Sequence, residues 1–257
     1  LSIHLCVAER PRARPAGARH RAGLPHPRAA LPLPDGARSS YDDIPFQAIN
    51  SKKDFKHQEV LEIRRGYYGA VTYMDQQFGR IMAEMDKLDL RKNTIIVFVS
   101  DHGYLLGEHS MWKKTKLWED SIHVPLMIST PGQREGQRCD QLVELIDLYP
   151  TLTELAGLPA EKGAQGLSLT PLLTDPLSAR PEKTASLSQT PSGHCLRTKK
   201  WAYMWYPKKK KHPAAAMLFD METDPQQFTN LSGNPDYAEI EKTLHDQLQA
   251  RIKAAIK

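Results

Sequence analysis

Asp101 and His102 end an apolar run in the stretch FVSDHGYLLGEH, residues 98 to 109. A carboxylate and an imidazole in succession at a strand tip can ligate a metal or hold a proton donor over a leaving group. The alternative is a strand-ending turn, with Asp101 as its cap and Gly103 supplying a permissive backbone. His102, Glu108 and His109 are all ligand types, but His-x5-Glu-His is not a recognised zinc spacing, and Gly103 and Gly107 favour a loop over a helix. A dozen residues on, Lys113, Lys114 and Lys116 lie between Trp112 and Trp118. A lysine folding back to the strand tip would neutralise a sulfate or phosphate as a point charge, whereas lysines left in a loop face water. His123, just before an apolar run, reads as a core or rim histidine. PKKKKHP, residues 207 to 213, reads as a solvated hairpin tip, with polyanion binding as the alternative.

These side chains need a scaffold. Val60, Ile63, Tyr67, Val71, Met74, Phe78, Ile81, Met85 and Leu88 recur every three or four residues, which predicts one amphipathic helix over 54 to 88. Its apolar stripe should pack on a sheet containing the run from 95 to 99, so that Met74→Asp would place an unpaired charge in the core. Gly66 and Gly69 weaken this helix and suggest close approach to another element. NTIIVFVS (93 to 100) has the composition of a strand buried on both faces, and helix, strand and polar tip together suggest a parallel sheet with ligands beyond the strand ends. HVPLMIST (123 to 130) predicts another strand, LVELI (142 to 146) a short strand or a lead-in to a helix, and DLYPTLTELAG a helix with Asp147 at its start. Beyond Pro176, TASLSQ, CLRTKKWAYMWYP and AMLFDM predict short strands, and the segment from 235 to 257 a closing helix, which is the pattern of a small α+β subdomain.

The chain has 257 residues, enough for one sizeable core or a core with a small subdomain. No apolar stretch approaches the length of a transmembrane helix. A formal charge of +5, drawn largely from an arginine-rich start and a lysine run, says little about the main fold; the start could be a basic arm that touches nucleic acid or an acidic surface, but no nucleic-acid partner is expected. Cys6, Cys139 and Cys195 are odd in number and widely spaced, so they form neither a disulfide framework nor a zinc knuckle. Residues 1 to 38 stand apart, with seven Arg, six Pro, eight Ala and no Lys. Their prolines break helix and strand alike, so residues 1 to 40 are expected to be disordered, or to be GC-rich coding sequence read out of frame. No basic start followed by a long apolar run marks a secretion signal, and the chain reads as a fragment.

TIIVFVSDHGYLLGEHSMWKKTKLWEDSIHVPLMISTPG resembles the sulfatase branch of the alkaline-phosphatase-like superfamily, and within it the iduronate-2-sulfatase group. The resemblance continues through LVELIDLYPTLTELAGLP, QGLSLTPLL, LRTKKWAYMWY and LFDMETDPQQFTNL, covering roughly residues 41 to 257 as five ordered blocks. It implies an α/β alkaline-phosphatase-like core, present in part over 41 to 180, and a C-terminal α+β subdomain with a short antiparallel sheet over 181 to 257. It further implies hydrolysis of sulfate esters on sulfated saccharides such as glycosaminoglycans, in a secreted, periplasmic or lysosome-like location. One calcium ion would be held by residues matching Asp101 and His102 together with earlier acids; Lys114 would bind the sulfate, and His102 would contact one of its oxygens. The family's nucleophile is a formylglycine made from the Cys of Cys-x-Pro-x-Arg, and none of Cys6, Cys139 and Cys195 begins that motif. The fragment alone is therefore expected to be inactive. The alternatives are a phosphate-ester or phosphonate hydrolase of the same superfamily, and a non-catalytic polyanion-binding protein.

Overall fold

The structure, a computed structural model, describes residues 2–7, 55–133, 136–209 and 212–256, the first six by their backbone. Strand β1 (Ser2–Val7) is followed in the described chain by α1 (His57–Lys87), then β2 (Ile96–Val99), the two-residue strands β3 (Leu105–Leu106) and β4 (Trp112–Lys113), and the single-turn helix α2 (Glu119–Ile122). Next come β5 (His123–Ser129), β6 (Arg138–Cys139), α3 (Leu148–Leu155) and α4 (Thr170–Thr174). The C-terminal part is β7 (Ala185–Thr190), β8 (Gly193–Thr198), β9 (Trp201–Tyr206), β10 (Ala215–Asp220) and α5 (Ala238–Ala255). An α/β unit thus precedes a smaller α+β unit, as the resemblance implies.

The first sheet has the order β2-β5-β1-β6 and is mixed. β1 runs parallel to β5, whereas β2 runs antiparallel to it, Val97 facing Ile128 and Phe98 facing Met127. The parallel sheet suggested by the sequence is corrected here: apolar composition reports burial, and strand direction depends on the partner's path. β2 is also an edge strand among the described residues, half-buried, with Val99 exposed. β1 falls inside the Arg/Pro/Ala segment, where no regular element is expected. Residues 8–54, the rest of that segment included, lie outside the described residues.

α1 forms as its periodicity predicts, but its stripe is not sealed. Val71, Met74, Ile81 and Leu88 are 43–59% exposed. The helix is held by buried Met82, by Phe78 set edge-on to Phe98 at 5.2 Å, and by Arg64, whose Nε donates to the Leu106 carbonyl at 2.8 Å. A Cβ at Gly66 or Gly69 would meet nothing within 4 Å, so neither glycine marks a close approach in the described structure. The expected core penalty for Met74→Asp is likewise withdrawn. The 142 to 146 segment resolves as a lead-in, a short 3-10 turn (Leu145–Asp147) running into α3.

The second sheet is an antiparallel meander of order β10-β9-β8-β7. Successive strand residues point to opposite faces, and here both faces are covered. Cys195, Ala202, Met204, Tyr206, Met217 and Phe219 face a core shared with Leu105, Met111, Leu117, Trp118 and Ile122. Leu196, Tyr203 and Leu218 face the other way, against Leu244 and Leu248 of α5. Each of those two leucines contributes about 1.5–3 kcal/mol by leaving water. The meander is therefore a middle layer, with α5 on one side and the 105–122 loop on the other. That loop carries the candidate site.

Candidate active site

β2 ends at Val99, and the chain turns sharply behind it. The Ser100 hydroxyl donates to the His102 carbonyl at 2.8 Å, and the Gly103 amide donates to the Ser121 carbonyl at 2.9 Å. A Cβ at Gly103 would lie 2.1 Å from the Asp120 carbonyl oxygen, so the backbones approach too closely for any other residue. The turn leaves the Asp101 side chain 84% exposed and that of His102 32% exposed.

A hairpin returns the chain to the same place. Leu105 pairs with Lys113 and Leu106 with Trp112, with Gly107 at φ +111° in the bend. This accounts for the eleven residues between His102 and Lys114. Lys113 (φ 75°) and Thr115 (φ 71°) flank Lys114 in the left-handed region, where a β-branched residue is strained. The strain is offset by burial of Met111, Leu117 and Trp118 on either side.

Lys114 Nζ lies 2.8 Å from His102 Nε2. The other ring nitrogen, Nδ1, lies 2.8 Å from the Gly103 carbonyl, which can only accept, so Nδ1 carries the proton. Nε2 then offers a lone pair to the Lys114 ammonium. Asp101 Oδ2 is 3.6 Å from the same Nε2. All three predicted site residues, Asp101, His102 and Lys114, therefore converge.

They line a cleft of about 320 Å³ together with Ser188, Gln189 and Thr190 of strand β7. Lys116 lines it too, only 5% exposed, and burial pushes its ammonium down to about 8 from 10.5. The sequence leaves Lys113, Lys114 and Lys116 alike open between an anion-binding lysine and a solvated one, and does not include β7 in the site. The burial depends on the turn at Ser121 and Ile122 and on a strand about seventy residues later, so nothing local signals it. The remaining candidates serve structure. His109 is buried against Trp118, while Glu108 accepts from the Leu106 amide. His123 sits at the rim, with Nδ1 3.5 Å from Glu119 Oε1. In the lysine run, Lys209 pairs with His212 in an isolated bridge, as a hairpin tip would, and 210–211 lie outside the described residues.

The site also bears on calcium. The ion takes roughly six to eight oxygen ligands. Among the described residues no three His, Cys, Asp or Glu side chains are grouped to hold a metal, and the His102 lone pair faces an ammonium. Among the described residues Asp101 and His102 alone do not complete a calcium site.

The profile of the sulfatase family matches residues 24–158, and that of the C-terminal region of N-sulphoglucosamine sulphohydrolase matches 107–254. Arylsulfatase K of Gallus gallus is 37% identical over 194 residues, which is 71% of this chain and 36% of that protein. A solved structure described in complex with its substrate D-glucosamine-2-N,6-O-disulfate is 25% identical with a TM-score of 0.67, covering 77% of this chain and 42% of that one. A phosphonate monoester hydrolase from Silicibacter pomeroyi is 26% identical, also with a TM-score of 0.67, covering 79% of this chain and 43% of its own. The chain spans less than half the length of each. Among the described residues no helix is long and apolar enough to cross a membrane.

Proposed function

The chain belongs to the sulfatase family, and from that premise we propose that the whole protein hydrolyses sulfate esters carried on sugars. The observation that supports this reading is the 2.8 Å contact between Lys114 and His102 at the strand tip, in a cleft open to a sugar-sized ligand. An ammonium has three N–H donors, and pointing one at a neutral imidazole fixes the direction of the others. Lys114 would then sit as a point charge on the sulfate oxygens, where negative charge persists through S–O cleavage. His102, its Nδ1 proton held on the Gly103 carbonyl, would keep Lys114 in place by accepting one of its N–H donors at Nε2.

A sugar substrate is favoured by the structural relative whose substrate is a disulfated glucosamine. The finer preference for an iduronate-2-sulfatase-type substrate rests on the order of sequence blocks alone. Calcium belongs to the proposal for the whole protein, with ligands beyond those described here. The same holds for a secreted, periplasmic or lysosome-like location. The 257-residue chain alone would turn over no sulfate ester, since no cysteine in it begins Cys-x-Pro-x-Arg and charge stabilisation does not substitute for a nucleophile.

The second reading, a phosphonate or phosphate monoesterase, draws on the Silicibacter relative. Comparative turnover of aryl sulfate, aryl phosphate and aryl phosphonate by the whole protein, with and without Lys114→Ala, separates the two. Faster sulfate cleavage, reduced at least about a hundredfold by the substitution, is expected. Faster cleavage of either phosphorus ester overturns the sulfatase reading.

A further inference from the structure

Lys116 is the anomaly of the cleft. Its side chain is almost wholly buried, yet its sole hydrogen bond in the described structure is a long one from its backbone amide to Ser121 Oγ, 3.4 Å. A lysine desolvated this far without a carboxylate is costly and is ordinarily paired or replaced, unless its ammonium keeps contact with solvent through a cleft. Elsewhere in this chain the rule is kept: buried Lys183 is bonded to Glu144 and Asp147. Lys116 instead lines the cleft that contains Lys114.

We propose that Lys116 is a second anion-binding residue of this cleft, and that its substrate is a sugar bearing a second anionic group, a carboxylate or another sulfate, besides the ester held at Lys114. The inference rests on the sulfatase reading of the Lys114 site. A sulfate monoester carries one negative charge, which the exposed ammonium at the strand tip matches. The largely desolvated Lys116 is matched by a further negative group in the same cleft, where the polar side chains of Ser188 and Thr190 suit a hydroxylated ring. Asp101 does not fulfil this role, because its carboxylate is 84% exposed and screened by water. The arrangement makes Lys116 a selector of substrate charge.

The readout is binding, so the test uses the whole protein with the cysteine that supplies its nucleophile replaced by alanine. Isothermal titration at pH 8 would compare N-acetylglucosamine 6-sulfate with D-glucosamine-2-N,6-O-disulfate on that parent, Lys114→Ala and Lys116→Met. The disulfate should bind the parent about tenfold more tightly, an advantage that falls below about twofold in Lys116→Met. Lys114→Ala should weaken both ligands. An anion beside Lys116 restores its charged form, so the disulfate should also draw in up to roughly half a proton, seen by comparing buffers of different ionisation enthalpy. The other titratable side chains of the cleft are Asp101, His102 and Lys114; they meet the first sulfate in both ligands and cancel in the comparison. Lys116→Met should fold at least as well as the parent, since it removes a desolvated charge. An undiminished preference for the disulfate in Lys116→Met overturns the proposal while leaving the sulfatase reading intact. Equal weakening of both ligands by Lys116→Met also overturns it, placing Lys116 on the same sulfate as Lys114. Binding of neither ligand by any form overturns both readings.

Discussion

The imidazole of His109 lies flat on the indole of Trp118, with ring centroids 3.8 Å apart and planes 15° from parallel. Its Nδ1 is buried with no hydrogen-bond partner among the described residues. Burial holds this imidazole down at about 4, against a weaker opposing pull from Asp224. The folded state therefore prefers neutral His109. Its stability is fully present above the unfolded value near 6.5 and is lost as pH falls towards 4, by on the order of 3 kcal/mol. Urea titrations at several pH values between 7.5 and 4 should show a shallower loss for His109→Phe than for the parent. Parallel curves would refute the assignment.

Lys183 ties the two units together. Its ammonium contacts Glu144 and lies 3.0 Å from Asp147 Oδ1, while Arg251 reaches Glu144 at 3.1 Å from α5. Burial pushes the Glu144 carboxyl up, but the hydrogen bond and charge of Lys183, with help from the Leu187 amide and Arg251, hold it below the usual carboxylate range. Lys183→Met should cost about 3–5 kcal/mol by leaving buried carboxylates uncompensated, read as a lower urea midpoint at pH 7. A cost under about 1 kcal/mol would show the network to be dispensable.

The glycines divide by position. Gly103→Ala should lower the melting temperature sharply, because its Cβ would strike the Asp120 carbonyl. Gly69→Ala, in open space on α1, should instead stabilise by about 0.5–1 kcal/mol through helix propensity. Shifts of the same sign in both variants would contradict this placement.

Along α1, Met82→Asp should cost several kcal/mol, since Met82 is 6% exposed, whereas Met74→Asp, at 43% exposure, should cost far less. Paired denaturation curves check the ranking, and a larger loss at Met74 would mean that another surface covers that face.

That contrast shows what a sequence reveals and what it does not. The period of α1 is a local property and was legible to within a few residues, as were the meander strands and α5. Which of its apolar residues meet a partner depends on surfaces contributed by distant chain, so the stripe predicted more burial than Met74 and Ile81 have. That Asp101 and His102 stand at a strand tip was legible from the apolar run before them, whereas the choice of Lys114 among three lysines came from the family resemblance. The burial of Lys116 was not legible, since it is created by β7 and the turn at Ser121. The direction of β2 was equally hidden, because apolar composition is the same for either orientation.

Strand β7, which lines the cleft together with His102, has a consequence for how this molecule can be divided. The natural cut in the sequence falls near residue 180, between an α/β unit and an α+β unit, yet Glu119 beside the cleft is bonded to Arg197 and its amide to Gln227 across that cut. A graft of the first unit onto a foreign partner would carry the reactive side chains without the surface that frames their ligand. Exchange of the segment from 185 to 191 between relatives, with Arg197 and Gln227 kept, is the smaller transplant that should carry ligand preference with it. In this chain modularity follows the strand edge and not the domain boundary.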